Sequence, residues 1–278
     1  MSSETHFKGW LKPGSIPPGA QSPVEVPADE TLDAISGHFR IFQLRKGNRF
    51  STDDLLTAWY GTAWVPSAAR VLDLGSGVGS VGMIAAWRLP GARFVTIEAQ
   101  PDGVRLALKS AAYNGLQCRY EIRCADFRDP RALGADESFD LVLASPPYFP
   151  RGAGVEADHP QKVACRFELR GDIGDYARIA VQHLQPGGLF ACVYPEERRA
   201  ALESAARAAG LAVVRRRAIV FRDGDPPLVG LFGMMRAMDL PVAMRTRTWV
   251  EPALMIRCAD GSVHPEYAAI KLSVGFPP

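Results

Sequence analysis

Hydrophobic and polar positions change their spacing several times along this chain, and each change predicts an element. Residues 1–30 carry no period. They are rich in Pro, Gly, Ser and Thr, as in Lys12-Pro13-Gly14-Ser15-Ile16-Pro17-Pro18-Gly19, and such a segment buries too little to order itself. Between residues 36 and 50, apolar Phe39, Ile41 and Leu44 alternate with basic Arg40, Arg45, Lys46 and Arg49. Lys46-Gly47-Asn48 is a turn signal, so a hairpin is expected there. Ser51 or Thr52 then caps a helix that runs to about residue 64. Asp53 and Asp54 fall in its first turn, where the positive end of the helix dipole favours carboxylates.

From residue 70 short apolar runs alternate with longer helical patterns. Residues 70–74, 93–98, 118–123, 140–144 and 189–194 read as strands; 78–88, 101–114, 173–184 and 196–209 read as helices. Strands alternating with helices imply right-handed crossovers and a mostly parallel sheet covered on both faces. Residues 211–221 and 228–235 are two more strands joined by a short loop, and a loop that short requires antiparallel pairing. Residues 253–270 are expected to add strands around Asp260-Gly261. The domain reading is a flexible segment over 1–30, a hairpin and helix over 31–66, and the main domain over 67–278.

Composition narrows the class. A chain of 278 residues with 47% hydrophobic content holds one sizeable core, and a net charge of +2 excludes no partner. The five cysteines, Cys118, Cys124, Cys165, Cys192 and Cys258, lack zinc-ligand spacing, so no metal is expected. They read as reduced thiols, most of them buried. No stretch is long and apolar enough to span a membrane, and the N-terminus has no signal-peptide core. A soluble, cytoplasmic protein is expected, of undetermined oligomeric state.

The first chemical motif is Val71-Leu72-Asp73-Leu74-Gly75-Ser76-Gly77-Val78-Gly79. A strand ends, glycines turn the chain, and a helix begins, with its unpaired N–H groups facing a crevice where ligands bind. Two cofactor classes fit. Gly77 through Gly82 matches a dinucleotide pattern, with Glu98 placed to hold a ribose. Against that, Gly75 precedes the pattern by two residues, and Asp73 suits the cationic amino-acid end of S-adenosylmethionine (SAM). Past the third strand, Asp126 can accept from an adenine amino group and Phe127 can cover its ring.

The second motif is Ser145-Pro146-Pro147-Tyr148, directly after the strand at 140–144. Two prolines fix the backbone and remove two donors, leaving oxygens to face the crevice. An aryl or amide amine is a poor nucleophile because its lone pair is delocalised. Hydrogen bonds accepted by Ser145 and the Pro146 carbonyl would help it pyramidalise, and Tyr148 can stack on a planar base.

Taken together, the turn at Asp73–Gly79, Glu98, Asp126 and Ser145–Tyr148 resemble class I SAM-dependent amino-methyltransferases. Outside these motifs, Phe39-Arg40-Ile41-Phe42-Gln43-Leu44, the run from Phe50 to Trp59, and the tail from Leu254 to Tyr267 are similar to the bacterial tRNA1(Val) adenine-N6 methyltransferases. The likeness covers about residues 36–275. It departs at Ser145, where those enzymes usually have Asn, and at Asp54, where they usually have Gly. The resemblance implies a Rossmann-like seven-stranded sheet with helices on both faces and a small N-terminal addition. It implies SAM as cofactor, held by Asp73, Gly75, Gly77, Gly79, Glu98, Asp126 and Phe127. Ser145, Pro146, Pro147 and Tyr148 would carry catalysis on adenine in tRNA. Amino-methylation of rRNA guanine, DNA, a protein glutamine or a small molecule is the alternative, with an NAD-dependent oxidoreductase or a non-catalytic RNA-binding protein behind it. Basic stretches at 36–50 and 215–247 would supply phosphate contacts, although side chains alternate faces along a strand, so Arg215-Arg216-Arg217 cannot all face one partner.

Overall fold

The computed structural model describes residues 25–150 and 167–276, with Gln161, Cys165 and two short antiparallel strands, β1 (His6–Phe7) and β2 (Trp10–Leu11). The other residues of the opening segment read as flexible lie outside the described residues, apart from 25–30. A hairpin follows, β3 (Glu30–Ser36) and β4 (Phe39–Leu44). It starts one residue before the boundary expected at 30/31. Its turn lies at Gly37-His38, not at Lys46-Gly47-Asn48, because Gly37 takes a left-handed φ of +49° that closes the chain tightly. The Glu30 carboxylate is buried and pairs with Arg105 and Lys109, which ties the hairpin to the body.

Helix α1 (Thr52–Trp64) opens on a reciprocal cap: the Ser51 hydroxyl accepts from the chain at its first turn, and the Asp54 carboxylate accepts from the Ser51 N–H. Then come β5 (Arg70–Leu74), α2 (Ser80–Arg88), β6 (Arg93–Glu98), α3 (Pro101–Tyr113), β7 (Tyr120–Cys124) and β8 (Phe139–Ala144). After these lie α4 (Ile173–His183), β9 (Leu184–Pro195), α5 (Arg199–Ala209), β10 (Leu211–Val220), β11 (Val229–Arg236), β12 (Trp249–Met255) and α6 (Pro265–Ser273).

The main sheet runs β12-β10-β11-β9-β8-β5-β6-β7. Only β11 is antiparallel to its neighbours, as its short loop to β10 requires. The central strands are apolar on both faces because both are covered: the hairpin, α1 and α2 pack on one side, α4 and α5 on the other. The expected seven strands are β5 to β11. The eighth is β12, an edge strand parallel to β10. The tail holds the end of β12 and, around Asp260-Gly261, an antiparallel bridge between Arg257 and Val263 as expected, but it then forms α6, opened by Pro265.

The addition of β12 also corrects the reading of Arg215-Arg216-Arg217. Arg215 and Arg217 are buried, and each finds a carboxylate. Arg215 forms a bidentate pair with Glu251 on β12, its guanidinium 4.1 Å from the Tyr60 ring centre and 4.2 Å from that of Trp64. Arg217 reaches Glu266, and Arg216 pairs with Glu196. The run is an internal brace. The cysteine reading is corrected as well: all five are free thiols, but only Cys192 is buried.

The two ends of the folded body meet on one side chain. The Gly37 N–H donates to the Gly275 carbonyl at 2.7 Å, and a Cβ on either glycine would collide with the Trp87 indole. Among the described residues no helix is long and apolar enough to cross a membrane.

Candidate active site

In this sheet the chain runs from β5 outward to β6 and β7, then returns to β8 on the other side of β5. Loops leaving the carboxyl ends of β5 and β8 therefore diverge and leave a crevice. It has a volume of about 560 Å³, within the range usual for small-molecule sites. Every site residue expected from the sequence except Gly79 lines it: Asp73, Gly75, Gly77, Glu98, Asp126, Phe127 and Ser145 through Tyr148. Gly79 is the left-handed N-cap of α2, one residue from the wall.

The turn after β5 is held from the neighbouring strand. The Gly75 and Ser76 N–H groups donate to the Ile97 carbonyl at 2.9 and 3.1 Å. Gly75, Gly77 and Gly79 all have positive φ, which side chains rarely adopt. At Gly75 a Cβ would also sit 2.4 Å from the Tyr176 hydroxyl. Glu98 completes the turn: its Oε2 accepts from Gly77 N–H at 2.8 Å and its Oε1 from Gln100 N–H at 2.6 Å.

Asp73 is 1% exposed, and its Oδ2 accepts from the Gly82 N–H at 2.9 Å. Burial pushes its carboxyl up to about 8, with the Asp54 and Glu98 charges adding to the effect. Enclosure likewise pushes Asp54 up to about 7, and raises Asp53 and Glu98. Of the five carboxyl groups lining the crevice, four are thus raised, two of them from α1. The sequence reading had treated Asp53 and Asp54 only as helix-start residues. Asp126 differs: a fork from Arg128 at 2.6 and 2.9 Å holds it below the usual carboxylate range. Phe127 is buried, with its ring centre 4.6 Å from that of Tyr176.

At the other end, the segment after β8 is fixed at several points. The Tyr148 hydroxyl donates to Asp53 Oδ2 at 2.6 Å, and the ring meets Tyr194 edge-on. Arg198 donates to the Tyr148 carbonyl and pairs with Glu168 at 2.7 Å. The Glu168 N–H in turn donates to the Phe149 carbonyl at 2.9 Å. Ser145 and Pro147 stay partly open to the crevice, while Pro146 is buried. Arg49, from the basic stretch at 36–50, also lines the space, as do Gln100, Arg170 and Tyr176, which carried no motif that would have singled them out.

A family model described as a methyltransferase domain matches residues 66–214. The chain belongs to this methyltransferase family. Among relatives of the methyltransferase, a tRNA1(Val) (adenine(37)-N6)-methyltransferase of Bacteroides fragilis is 25% identical over 191 residues, covering 68% of this chain and 78% of that protein. A release factor glutamine methyltransferase of Geobacter sulfurreducens is 36% identical over 131 residues, 44% of each chain. A crystal structure of a predicted O-methyltransferase from Agrobacterium tumefaciens superposes with a TM-score of 0.62 at 20% identity, covering 81% of this chain and 98% of that one. That likeness bears on the fold, which is the class I methyltransferase fold. The enzyme is a SAM-dependent methyltransferase, and membership removes the dinucleotide reading of the turn.

Proposed function

We propose that this methyltransferase acts in the cytoplasm on a transfer RNA, methylating the exocyclic amine of adenine. One observation carries the reading: a single crevice has the acid-lined glycine turn at one end and Ser145–Tyr148 at the other.

The residues present fit SAM. The Ser76 hydroxyl is buried without a hydrogen-bond partner among the described residues. Asp53, Asp54, Asp73 and Glu98 outweigh Arg49 and Arg170 along the walls, which suits a ligand with a cationic end and free hydroxyls. Asp73 and the Gly75–Gly79 turn would hold the amino-acid end, and Glu98 the ribose. Asp126 and Phe127 would hold the adenine. When bound, SAM supplies an electrophilic methyl group.

The chain's own residues do the rest by positioning. The Ser145 hydroxyl and the Pro146 carbonyl accept hydrogen bonds from the two N–H bonds of the amine, and these strengthen as its nitrogen pyramidalises. Tyr148 stacks on the ring, its hydroxyl anchored by Asp53. A base paired in structured RNA leaves its stack to enter. Holding both reactants in line supplies much of the acceleration.

A second reading is methylation of a protein glutamine amide, which offers the same planar nitrogen; the 36% identical relative favours it. Purified enzyme, labelled SAM and total tRNA, followed by mass spectrometry of nucleosides, test the choice. N6-methyladenosine is the expected product. Label confined to guanine, to protein glutamine or to a small metabolite would overturn the adenine reading.

A further inference from the structure

A second cavity, of about 500 Å³, opens on the far side of the first turn of α1. Thr52 lines it, while its neighbours Ser51 and Asp53 line the crevice already described. One helical turn is therefore the wall between the two. The floor and rim of this cavity come from parts of the chain that the fold brings together late. Arg222 lies in the loop between β10 and β11, Arg257 just past β12, and Lys271 on α6.

Its charge is opposite to that of its neighbour. Arg222, Arg257 and Lys271 face a single carboxylate, Asp225. Arg222 and Arg257 are exposed, and Arg257 keeps its orientation by donating one N–H to the Gly261 carbonyl at 2.8 Å. Tyr267 and Thr52 lie at the wall, their side chains hydrogen-bonded to each other. Arg222 and Arg257 stand apart from Arg215 and Arg217, whose charges are consumed inside the protein. Net positive charge and several N–H donors within one concave site suit a phosphate group. Placement one helical turn from the crevice suits a phosphate covalently linked to the base that enters it.

We propose that Arg222 and Arg257 form a phosphodiester-binding subsite that grips the RNA backbone beside the target nucleotide. This deepens the RNA reading and rests on it. The subsite would fix the strand while Tyr148 receives the base, and it would contribute the salt-dependent part of affinity.

The test compares wild-type enzyme with Arg222→Gln/Arg257→Gln and with Arg222→Lys/Arg257→Lys, using total tRNA and adenosine monophosphate as acceptors. Unchanged melting temperature and SAM affinity in the glutamine variant establish that it is folded. The glutamine variant is expected to bind tRNA at least tenfold more weakly, with the slope of log affinity against log salt reduced by about 2. The lysine variant is expected to recover most of the loss. Equal tRNA affinity and slope in wild type and glutamine variant would overturn the subsite while sparing the RNA reading. So would losses confined to adenosine monophosphate, which would assign the cavity to a free nucleotide's own phosphate. Wild-type enzyme that neither binds nor methylates any RNA would overturn the RNA reading itself, and the subsite with it.

Discussion

The Tyr148 hydroxyl donates to Asp53 Oδ2 at 2.6 Å, joining the segment after β8 to the first turn of α1 across 95 positions of sequence. The contact joins Asp53 and Tyr148 from two separate wall residues into one unit, which under the proposed function would support the incoming ring. Tyr148→Phe and Asp53→Ala are each expected to lower kcat about tenfold to a hundredfold, consistent with losing one charge-assisted hydrogen bond. SAM affinity should change little in Tyr148→Phe. Because both variants remove the same bond, the double variant should be no worse than either single one; additive losses in a double-mutant cycle would show that the two act separately.

Glu98 holds the glycine turn by accepting from two backbone N–H groups, so its replacement should act on the cofactor side. Glu98→Ala is expected to weaken SAM binding by about tenfold or more, since each lost bond to a charged acceptor is worth roughly 1.5–3 kcal/mol. Ser145→Ala should do the reverse, sparing SAM affinity and lowering turnover. Calorimetry paired with single-turnover kinetics separates the two, and matching losses in both variants would merge the two ends of the crevice into one role.

The enclosed acids give the protein a definite response to pH. Asp54 and Asp73, ordinarily near 3.8, are pushed up to about 7 and about 8 by burial. The folded chain keeps protons that the unfolded chain releases, so ligand-free stability should fall as pH rises from near 4 toward 8 and level off above. A cation bound among these groups favours their charged forms. SAM binding should therefore expel protons, and affinity should rise by about tenfold between pH 6 and 7.5. Calorimetry in buffers of different ionisation enthalpy measures the protons directly; uptake rather than release would contradict the account.

Glu30→Ala removes the buried carboxylate that pairs with Arg105 and Lys109 on α3. Since Arg105 is partly exposed, water softens the loss, and a destabilisation of about 1–2 kcal/mol is expected in urea titrations. A change near zero would show that the hairpin is held by its apolar face alone.

The parallel strands were legible because they are buried on both faces and therefore read as unbroken apolar runs. Both ends of the crevice could be read too, since glycines and paired prolines at strand ends fix local backbone geometry. The hairpin turn was misread because Gly37 carries the decisive conformation while Lys46-Gly47-Asn48 carries the stronger turn composition. Burial of Arg215 depends on Glu251 and on Tyr60 and Trp64, contributed by β12 and α1 at long range, and no local pattern encodes that meeting. The same holds for Asp53 and Asp54: their spacing identifies a helix start, and only the packing of α1 brings Asp53 to Tyr148 and Asp54 near Asp73.

The clasp of Gly37 and Gly275 over Trp87 sets an order of events during synthesis. The hairpin can dock on α2 and α3 once those helices exist, using Asn114 and Ser110 as acceptors for the Arg40 and Phe42 N–H groups. The Gly37 N–H, however, waits for a carbonyl made more than two hundred residues later, the span from 37 to 275. While the chain is still being translated, that corner of the protein stays unlatched, because the Gly275 carbonyl that accepts from Gly37 does not yet exist. A stop codon or frameshift shortly before Gly275 would leave nearly all of the sheet intact and yet release a protein permanently caught in this unfinished state.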